Sequence, residues 1–232
     1  MTAGAFAFLV NAVLFVYLLL FSSLKAAIGV FILSCVVWKI LFSSRNGSDR
    51  RVLVICLGDI GRSPRMTYHC LSLAVNHQVD YLSYRGAKPH SLLIQNPNVH
   101  LHQMSPLSWR LQRAFFLVYA PIKICYQLYQ LFSITLFEIP RPEYILIQNP
   151  PAIPTLFVAH VVAVLRSSKL IIDWHNFGYT ILGLSLGQSH LLVKISYWYE
   201  KVLGRGAWGN LCVSEAMRAH LQTKWQIPAS VL

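Results

Sequence analysis

The loop at residues 58–65 has the chemistry of an anion-binding site. Ser63 is a good N-cap residue and Pro64 suits the first position of a helix, so the loop ends where a helix begins. The free N–H groups and the positive dipole end of that helix attract anions, and Arg62 and Arg65 add two cations. These residue types in this order therefore predict that the loop binds an anion.

Two glycines and one carboxylate complete this loop. Gly58 and Gly61 allow the backbone to approach a ligand closely, and the basic surroundings of Asp59 favour its ionised form. An alternative of equal weight is an ordinary turn between a strand and a helix, in which Asp59 caps a backbone N–H.

A second group of polar residues follows an apolar run at residues 169–172. The group consists of Asp173, Trp174, His175 and Asn176. It holds more side-chain donors and acceptors than a turn requires, and Trp174 offers an aromatic face of the kind that binds sugars. Asn149 lies at the end of another apolar run. Taken singly, each of these residues has capping or structural hydrogen bonding as its alternative role.

Apolar runs of strand length alternate with segments of helical pattern, which is the order of a parallel α/β sheet. Strands are predicted at residues 52–57, 78–84, 99–104, 143–148, 169–173 and 208–213, and helices at 65–75, 153–165, 191–203 and 214–223. The carboxyl ends of parallel strands lie at one edge of a sheet. Asp59, Asn149, Asp173 and His175 are therefore expected at the same edge.

The long apolar and aromatic segment at residues 108–137 has three interpretations. A helix buried in the core is favoured, and an amphipathic helix at the membrane surface is the second choice. A further membrane span is the third.

The N-terminal region is predicted to anchor the chain in a membrane. Residues 3–24 are uncharged and almost entirely apolar, enough for the roughly 20 residues of a spanning helix. A second apolar run at 26–40 continues this helix, forms a second short span or lies in the interface. We assign residues 1–42 to an anchor region, 43–50 to a linker and 51–232 to one domain. Basic residues follow the first run and none precedes it, which predicts a cytosolic domain.

The charge balance narrows the choice of partners. The sequence has 20 Lys and Arg against 8 Asp and Glu, a net charge of +12. Such an excess suits a phosphorylated substrate or anionic lipid; nucleic acid is not expected, because the basic residues are scattered. The five cysteines show no paired spacing and predict reduced core residues rather than a metal site. ATPase, serine hydrolase and zinc protease motifs are absent from the sequence.

Five motifs in order give the sequence a resemblance to the chitobiosyldiphosphodolichol β-mannosyltransferase family. They are GDIGRSPRM at residues 58–66, QNPP at 148–151, DWHNFGY at 173–179, WYEK at 198–201 and CVSEAMR at 212–218. The resemblance covers nearly the whole chain from residue 52 onward.

The resemblance implies an α/β fold with an N-terminal transmembrane helix and one Rossmann-like domain, the N-terminal domain of a GT-B glycosyltransferase. Family members add the first mannose of the dolichol pathway, which implies GDP-mannose as donor and dolichyl-diphosphate-linked chitobiose as acceptor. It further implies the endoplasmic reticulum membrane, with the domain facing the cytosol, and other dolichol-pathway mannosyltransferases as partners.

In this two-domain family the second domain holds the sugar nucleotide, and the present sequence ends where the first domain ends. We therefore expect no mannosyl transfer by this chain alone. A non-catalytic, membrane-anchored binding or scaffold module is the alternative function.

An inverting transfer needs a base for the acceptor hydroxyl. Asp59 is the predicted base, and His175 is its rival. The predicted substrate-binding residues are Gly58, Gly61, Arg62, Ser63, Arg65, Asn149, Asp173, Trp174, Asn176 and Glu200. Neither a cofactor nor a metal is expected.

Overall fold

A computed structural model describes residue 29 and residues 50–59, 61, 63–86, 88–107 and 116–232. The predicted anchor and linker lie outside these residues, apart from residues 29 and 50, and so does Arg62. The backbone of Asp59 is described but its side chain is not. None of the described helices is long and apolar enough to cross a bilayer.

The described residues form one sheet of seven parallel strands. The strands are β1 (Arg51–Asp59), β2 (Gln78–Tyr84), β3 (Val99–Met104), β4 (Tyr144–Asn149), β5 (Lys169–Trp174), β6 (Gly209–Cys212) and β7 (Ser230–Val231). Their order across the sheet is β3-β2-β1-β4-β5-β6-β7, which confirms the predicted Rossmann-like sheet. The order reverses between β1 and β4, and such a reversal opens a crevice at the carboxyl ends of these strands.

Helices cover both faces of the sheet. They are α1 (Pro64–Leu73), α2 (Ser91–Gln95), α3 (Phe116–Ser133), α4 (Thr155–Arg166), α5 (Gly178–Leu186), α6 (Leu191–Arg205) and α7 (Glu215–His220). One face is packed by Met66, Cys70 and Leu93 of α1 and α2, and the other by a larger cluster that includes Leu156 of α4. Because both faces are covered, the side chains of β1 are buried without interruption from residue 52 to 57.

Three described elements, α2, α5 and β7, are not among the predicted helices and strands. The segment after β5 was interpreted as a loop, but α5 begins at Gly178, only a few residues beyond the strand. This helix lacks a clear polar face, so its sequence carries little of the periodicity by which helices are recognised. Strand β7, of two residues, is too short to give a pattern.

From residue 116 onward, the long apolar segment forms α3 and a π-helical turn at Ile134–Glu138. Leu131, Ile134 and Leu136 are buried in the larger core cluster, whereas Tyr129 on the same segment is exposed. The end of the segment therefore belongs to the core, as the favoured interpretation predicts.

Candidate functional site

The carboxyl ends of β1, β4 and β5 lie side by side at the crevice. Residues 52–55 of β1 pair with residues 144–147 of β4, and Asn149 of β4 pairs with Trp174 of β5. Beyond the strands, the Asn149 carbonyl accepts a hydrogen bond of 2.9 Å from the backbone N–H of His175. The backbone thus brings the predicted positions to one edge.

A buried carboxylate, Asp173, is the centre of this edge. Arg65 donates to both of its oxygens, from Nε to Oδ2 at 3.0 Å and from Nη2 to Oδ1 at 3.1 Å. Two imidazoles also lie on Oδ2, His175 with Nε2 at 2.9 Å and His69 with Nε2 at 3.1 Å. Asp173 is fully buried, while the side chains of both histidines are partly exposed. We call these four residues the Asp173 cluster.

The Asp173 cluster keeps its buried carboxylate ionised. Burial by itself would raise the pKa of Asp173, but hydrogen bonds from His175, His69 and Arg65 outweigh it and hold this pKa well below its usual range. When Nε2 of a neutral imidazole donates to the carboxylate, Nδ1 is left as a proton acceptor. A carboxylate that orients an imidazole in this way is the arrangement of a general base.

Of the two histidines, His175 lies nearer the edge where ligands bind in such sheets. It follows the last residue of β5, whereas His69 lies one helical turn after Arg65 and therefore farther from the N-terminal end of α1. His69 was not predicted as a site residue. Its spacing of four residues from Arg65, which places both on one helix face, is the signal that could have identified it.

The Arg65 guanidinium forms hydrogen bonds with other groups of the protein. Besides its two bonds to Asp173, its Nη1 donates to the backbone carbonyl of Leu232 at 2.9 Å. A fully buried carboxylate requires such a cationic partner, because an unpaired charge in the interior is costly. Arg65 therefore holds Asp173 in this structure, and its direct role in binding substrate stays a prediction.

The side chain of Trp174 is fully buried and does not offer a face to a sugar. Its Nε1 donates to Asn210 Oδ1 at 2.8 Å, and its ring meets Trp225 edge to face at 5.7 Å. Successive residues of a strand point to opposite faces, so Trp174 turns away from Asp173 into the larger core cluster. The structure therefore shows the Trp174 ring as part of the core, and its predicted contact with substrate is not seen here.

Glu200 is likewise fully buried rather than directed into the crevice. It lies at the N-terminus of α5, and a Cβ added at Gly178 would come within 2.4 Å of its Oε1. Burial raises the pKa of Glu200 to about 8, against the opposing effect of the backbone N–H groups of Tyr179 and Gly178. Neither oxygen has a hydrogen bond of normal geometry to a described residue. Burial therefore favours the protonated form of the Glu200 carboxyl group.

The predicted glycine and serine positions surround the start of α1. Ser63 precedes the helix without a capping hydrogen bond from its side chain, and its Oγ lies 3.3 Å from Cys56 Sγ. A Cβ added at Gly58 would meet these two side chains at 3.5 and 3.6 Å, which is ordinary contact. Gly61 borders a cavity of about 300 Å³ that Lys88 and His90 also line. This cavity lies beside the helix N-terminus where an anion was predicted.

The two asparagines support the loop that carries His175. Asn149 is fully buried and donates from Nδ2 to the backbone carbonyl of Asn176 at 3.3 Å. Asn176 is exposed, and its Oδ1 accepts from the backbone N–H of Phe177 at 2.9 Å.

Within the described part of the chain, no group of His, Cys, Asp and Glu has the arrangement of a metal site.

Replacing Gly178 by alanine is expected to reduce the free energy of unfolding by about 1–3 kcal/mol, because the new methyl group overlaps with the Glu200 carboxyl in a packed interior. Denaturant unfolding measures the loss. Gly209→Ala is the matched control, since a Cβ there has its nearest contact at 3.8 Å. Equal unfolding free energies for the two variants would contradict the close approach.

Comparison with known proteins identifies relatives of the chain. No protein-family model matches it. UDP-glycosyltransferase TURAN of Arabidopsis thaliana is 40% identical over 192 residues, which cover 80% of this chain and 41% of the relative. Human chitobiosyldiphosphodolichol beta-mannosyltransferase is 41% identical over 186 residues, which cover 80% of this chain and 40% of the relative. The Yarrowia lipolytica protein of the same name is 42% identical over 171 residues, which cover 72% of this chain and 36% of the relative.

A solved UDP-glucosyltransferase from Polygonum tinctorium matches 78% of the chain and 51% of its own length at 12% identity, with a TM-score of 0.44. The chain spans about two fifths of the length of the curated relatives given above. Over this span the sequence motifs and the relatives agree: the chain is a partial homologue of the chitobiosyldiphosphodolichol beta-mannosyltransferases.

Proposed function

We propose that this domain binds the acceptor in an inverting β-1,4-mannosyl transfer from GDP-mannose to dolichyl-diphosphate-linked chitobiose. The observation that carries the proposal is the Asp173 cluster, which places an oriented imidazole at the edge of the sheet where such folds bind ligands. The relatives named above supply the reaction class.

In this reaction the acceptor hydroxyl attacks the anomeric carbon of mannose while the bond to GDP breaks. The hydroxyl proton passes to Nδ1 of His175, and the electron pair of the broken bond leaves with GDP. Asp173 holds the ring through Nε2 and stabilises the imidazolium that forms. Asp59, at the end of β1, stays the alternative base.

The acceptor diphosphate is proposed to bind beside the N-terminus of α1. Helix N–H groups favour an anion there, and Lys88 lines the adjacent cavity. Arg62 is the guanidinium of this loop left to pair with phosphate, since Arg65 is bound to Asp173. The domain is proposed to face the cytosol from the endoplasmic reticulum membrane, in association with other dolichol-pathway mannosyltransferases.

Binding of the acceptor tests this proposal. The chain in detergent should bind a short-chain analogue of dolichyl-diphosphate chitobiose, and Arg62→Ala should weaken binding about tenfold or more, the size of one lost charge-assisted hydrogen bond. Lys169→Ala serves as the control, because this exposed basic residue begins β5 and so lies at the opposite edge of the sheet. Equal affinity of the Arg62 variant and the wild type refutes the diphosphate placement, and absence of acceptor binding refutes the proposed function.

Turnover distinguishes the enzyme from the binding or scaffold module. The same preparation is incubated with radiolabelled GDP-mannose and acceptor, and the lipid product is counted. Product formation establishes transferase activity, whereas acceptor binding without product leaves the chain as a binding module in this assay.

A further inference from the structure

Helix α6 turns an apolar stripe toward solvent. Leu191, Ile195, Trp198 and Val202 recur with the spacing of one helix face, and all four are exposed. The opposite face of the same helix is packed against the protein through Val193 and other buried residues. The outward stripe is therefore a second apolar face, which the folding of the described domain leaves uncovered.

Helix α5 extends this surface. It packs against α6, and the rings of Tyr179 and Tyr197 meet edge to face at 5.0 Å. Leu184 of α5 is 85% exposed and Ile181 is 43% exposed. We call the exposed side chains of Ile181, Leu184, Leu191, Ile195, Trp198 and Val202 the α5–α6 surface. Isolated exposed apolar residues are ordinary in proteins, but a contiguous group of this kind marks an interaction site.

The charges beside the α5–α6 surface indicate its partner. Lys194 is exposed and Lys201 lies with its Nζ 5.9 Å from the centre of the Tyr197 ring. From residue 174 to 214 the sequence has one acidic residue, Glu200, and its side chain is fully buried. An apolar surface bordered by lysines, on two helices whose one carboxylate is buried, complements a membrane with anionic headgroups.

We propose that the α5–α6 surface docks on an anionic lipid membrane. The leucine, isoleucine and tryptophan side chains enter the interface, and Lys194 and Lys201 extend their ammonium groups to the headgroups. A second copy of the chain is a poorer fit, because identical surfaces would bring lysines together without carboxylates between them.

The position of the surface links it to the Asp173 cluster. Helix α5 begins at Gly178, shortly after His175, so the docked helices lie beside the crevice. An acceptor whose lipid stays in the bilayer then needs to raise only its head group into the site. This docking does not depend on mannosyl transfer, and its test contains no sugar substrate.

Spin labels at two positions test the docking. The full chain, with Cys35→Ser and Cys125→Ser, carries a nitroxide at Trp198→Cys or, as control, at Val75→Cys. Val75 is 73% exposed and apolar but follows α1, on the opposite face of the sheet. The chain is placed in vesicles of phosphatidylcholine with phosphatidylserine, and the accessibility of each label to oxygen and to a water-soluble nickel chelate is measured.

Docking predicts that the label at position 198 is open to oxygen and shielded from nickel, while the label at 75 is open to nickel. Lys194→Gln and Lys201→Gln each remove one positive charge. Each should raise the ratio of undocked to docked protein, measured with the label at position 198, about fivefold. A label at 198 that is as open to nickel as the control overturns the proposal. Shielding from both reagents also overturns it, because protein and not lipid then covers the surface.

Discussion

Mannosyl transfer is expected to fall by about 10²- to 10⁴-fold when His175 is replaced by glutamine, the usual contribution of a general base. Glutamine keeps a hydrogen-bond donor toward Asp173, which His175 contacts at 2.9 Å, but it cannot accept the proton of the acceptor hydroxyl. The loss should therefore lie mainly in turnover, with a smaller change in acceptor binding.

The variant is measured in a chimera in which residues 51–232 replace the aligned part of the human relative, so that transfer by the unaltered chimera provides the reference. His102→Gln is the matched control. His102 Nε2 lies 2.9 Å from Asp80 Oδ1, and Arg51 also pairs with Asp80, so this group repeats the chemistry of the Asp173 cluster away from the crevice.

Asp59→Asn tests the rival base in the same chimera. Near-normal transfer by the His175 variant, together with a large loss in the Asp59 variant, would assign the proton transfer to Asp59. The His102 variant should transfer mannose at nearly the unaltered rate, because its lost contact is structural. A large loss in that variant would mean that such Asp–His contacts act through folding.

The succession of strands along the chain and the sheet edge that carries the site were predictable from local patterns. Continuous apolar runs such as residues 52–57 indicate strands buried on both faces, and right-handed crossovers then place their carboxyl ends together. The positions of Asn149 and His175 follow from this backbone argument alone. Their contact through the Asn149 carbonyl is a consequence of parallel pairing between β4 and β5.

Local sequence patterns could not predict which residues bind Asp173. Arg65 is 108 residues away in sequence and His69 is 104 residues away, so these contacts arise only when α1 packs over the sheet and reaches the end of β5. The loop position of Arg65 therefore predicts anion binding, whereas in the structure its guanidinium pairs with the buried carboxylate of Asp173.

The burial of Trp174 could have been inferred with the available rules. Strand alternation places Trp174 on the same side as Leu170 and Ile172, which belong to the larger core cluster. Its neighbours in the polar motif obscured this signal. The burial of Glu200 had a weaker signal: it lies seven residues after Val193 on the inward face of α6.

Replacing Glu200 by glutamine is expected to stabilise the protein at alkaline pH and to have little effect near pH 4.5. Burial raises the pKa of Glu200 from 4.5 to about 8. Between these values the unfolded chain releases the proton while the folded protein retains it. The unfolded state then binds fewer protons, so the free energy of unfolding falls as pH rises through this range. Glutamine has nearly the same shape and no proton to release.

Above pH 8 the variant should therefore exceed the wild type in free energy of unfolding by a quantity on the order of 5 kcal/mol, from about 1.4 kcal/mol for each pKa unit. Urea unfolding of both proteins in detergent, at intervals from pH 4.5 to 8.5, measures the difference. Glu215→Gln is the control, because the Glu215 side chain is 68% exposed. The other titratable groups are the same in all three proteins, so their effects cancel when the unfolding free energy of a variant is compared with that of the wild type at the same pH. A difference between the Glu200 variant and the wild type that is constant with pH would mean that Glu200 has the same pKa in the folded and unfolded states, which would contradict a raised pKa for the buried carboxyl.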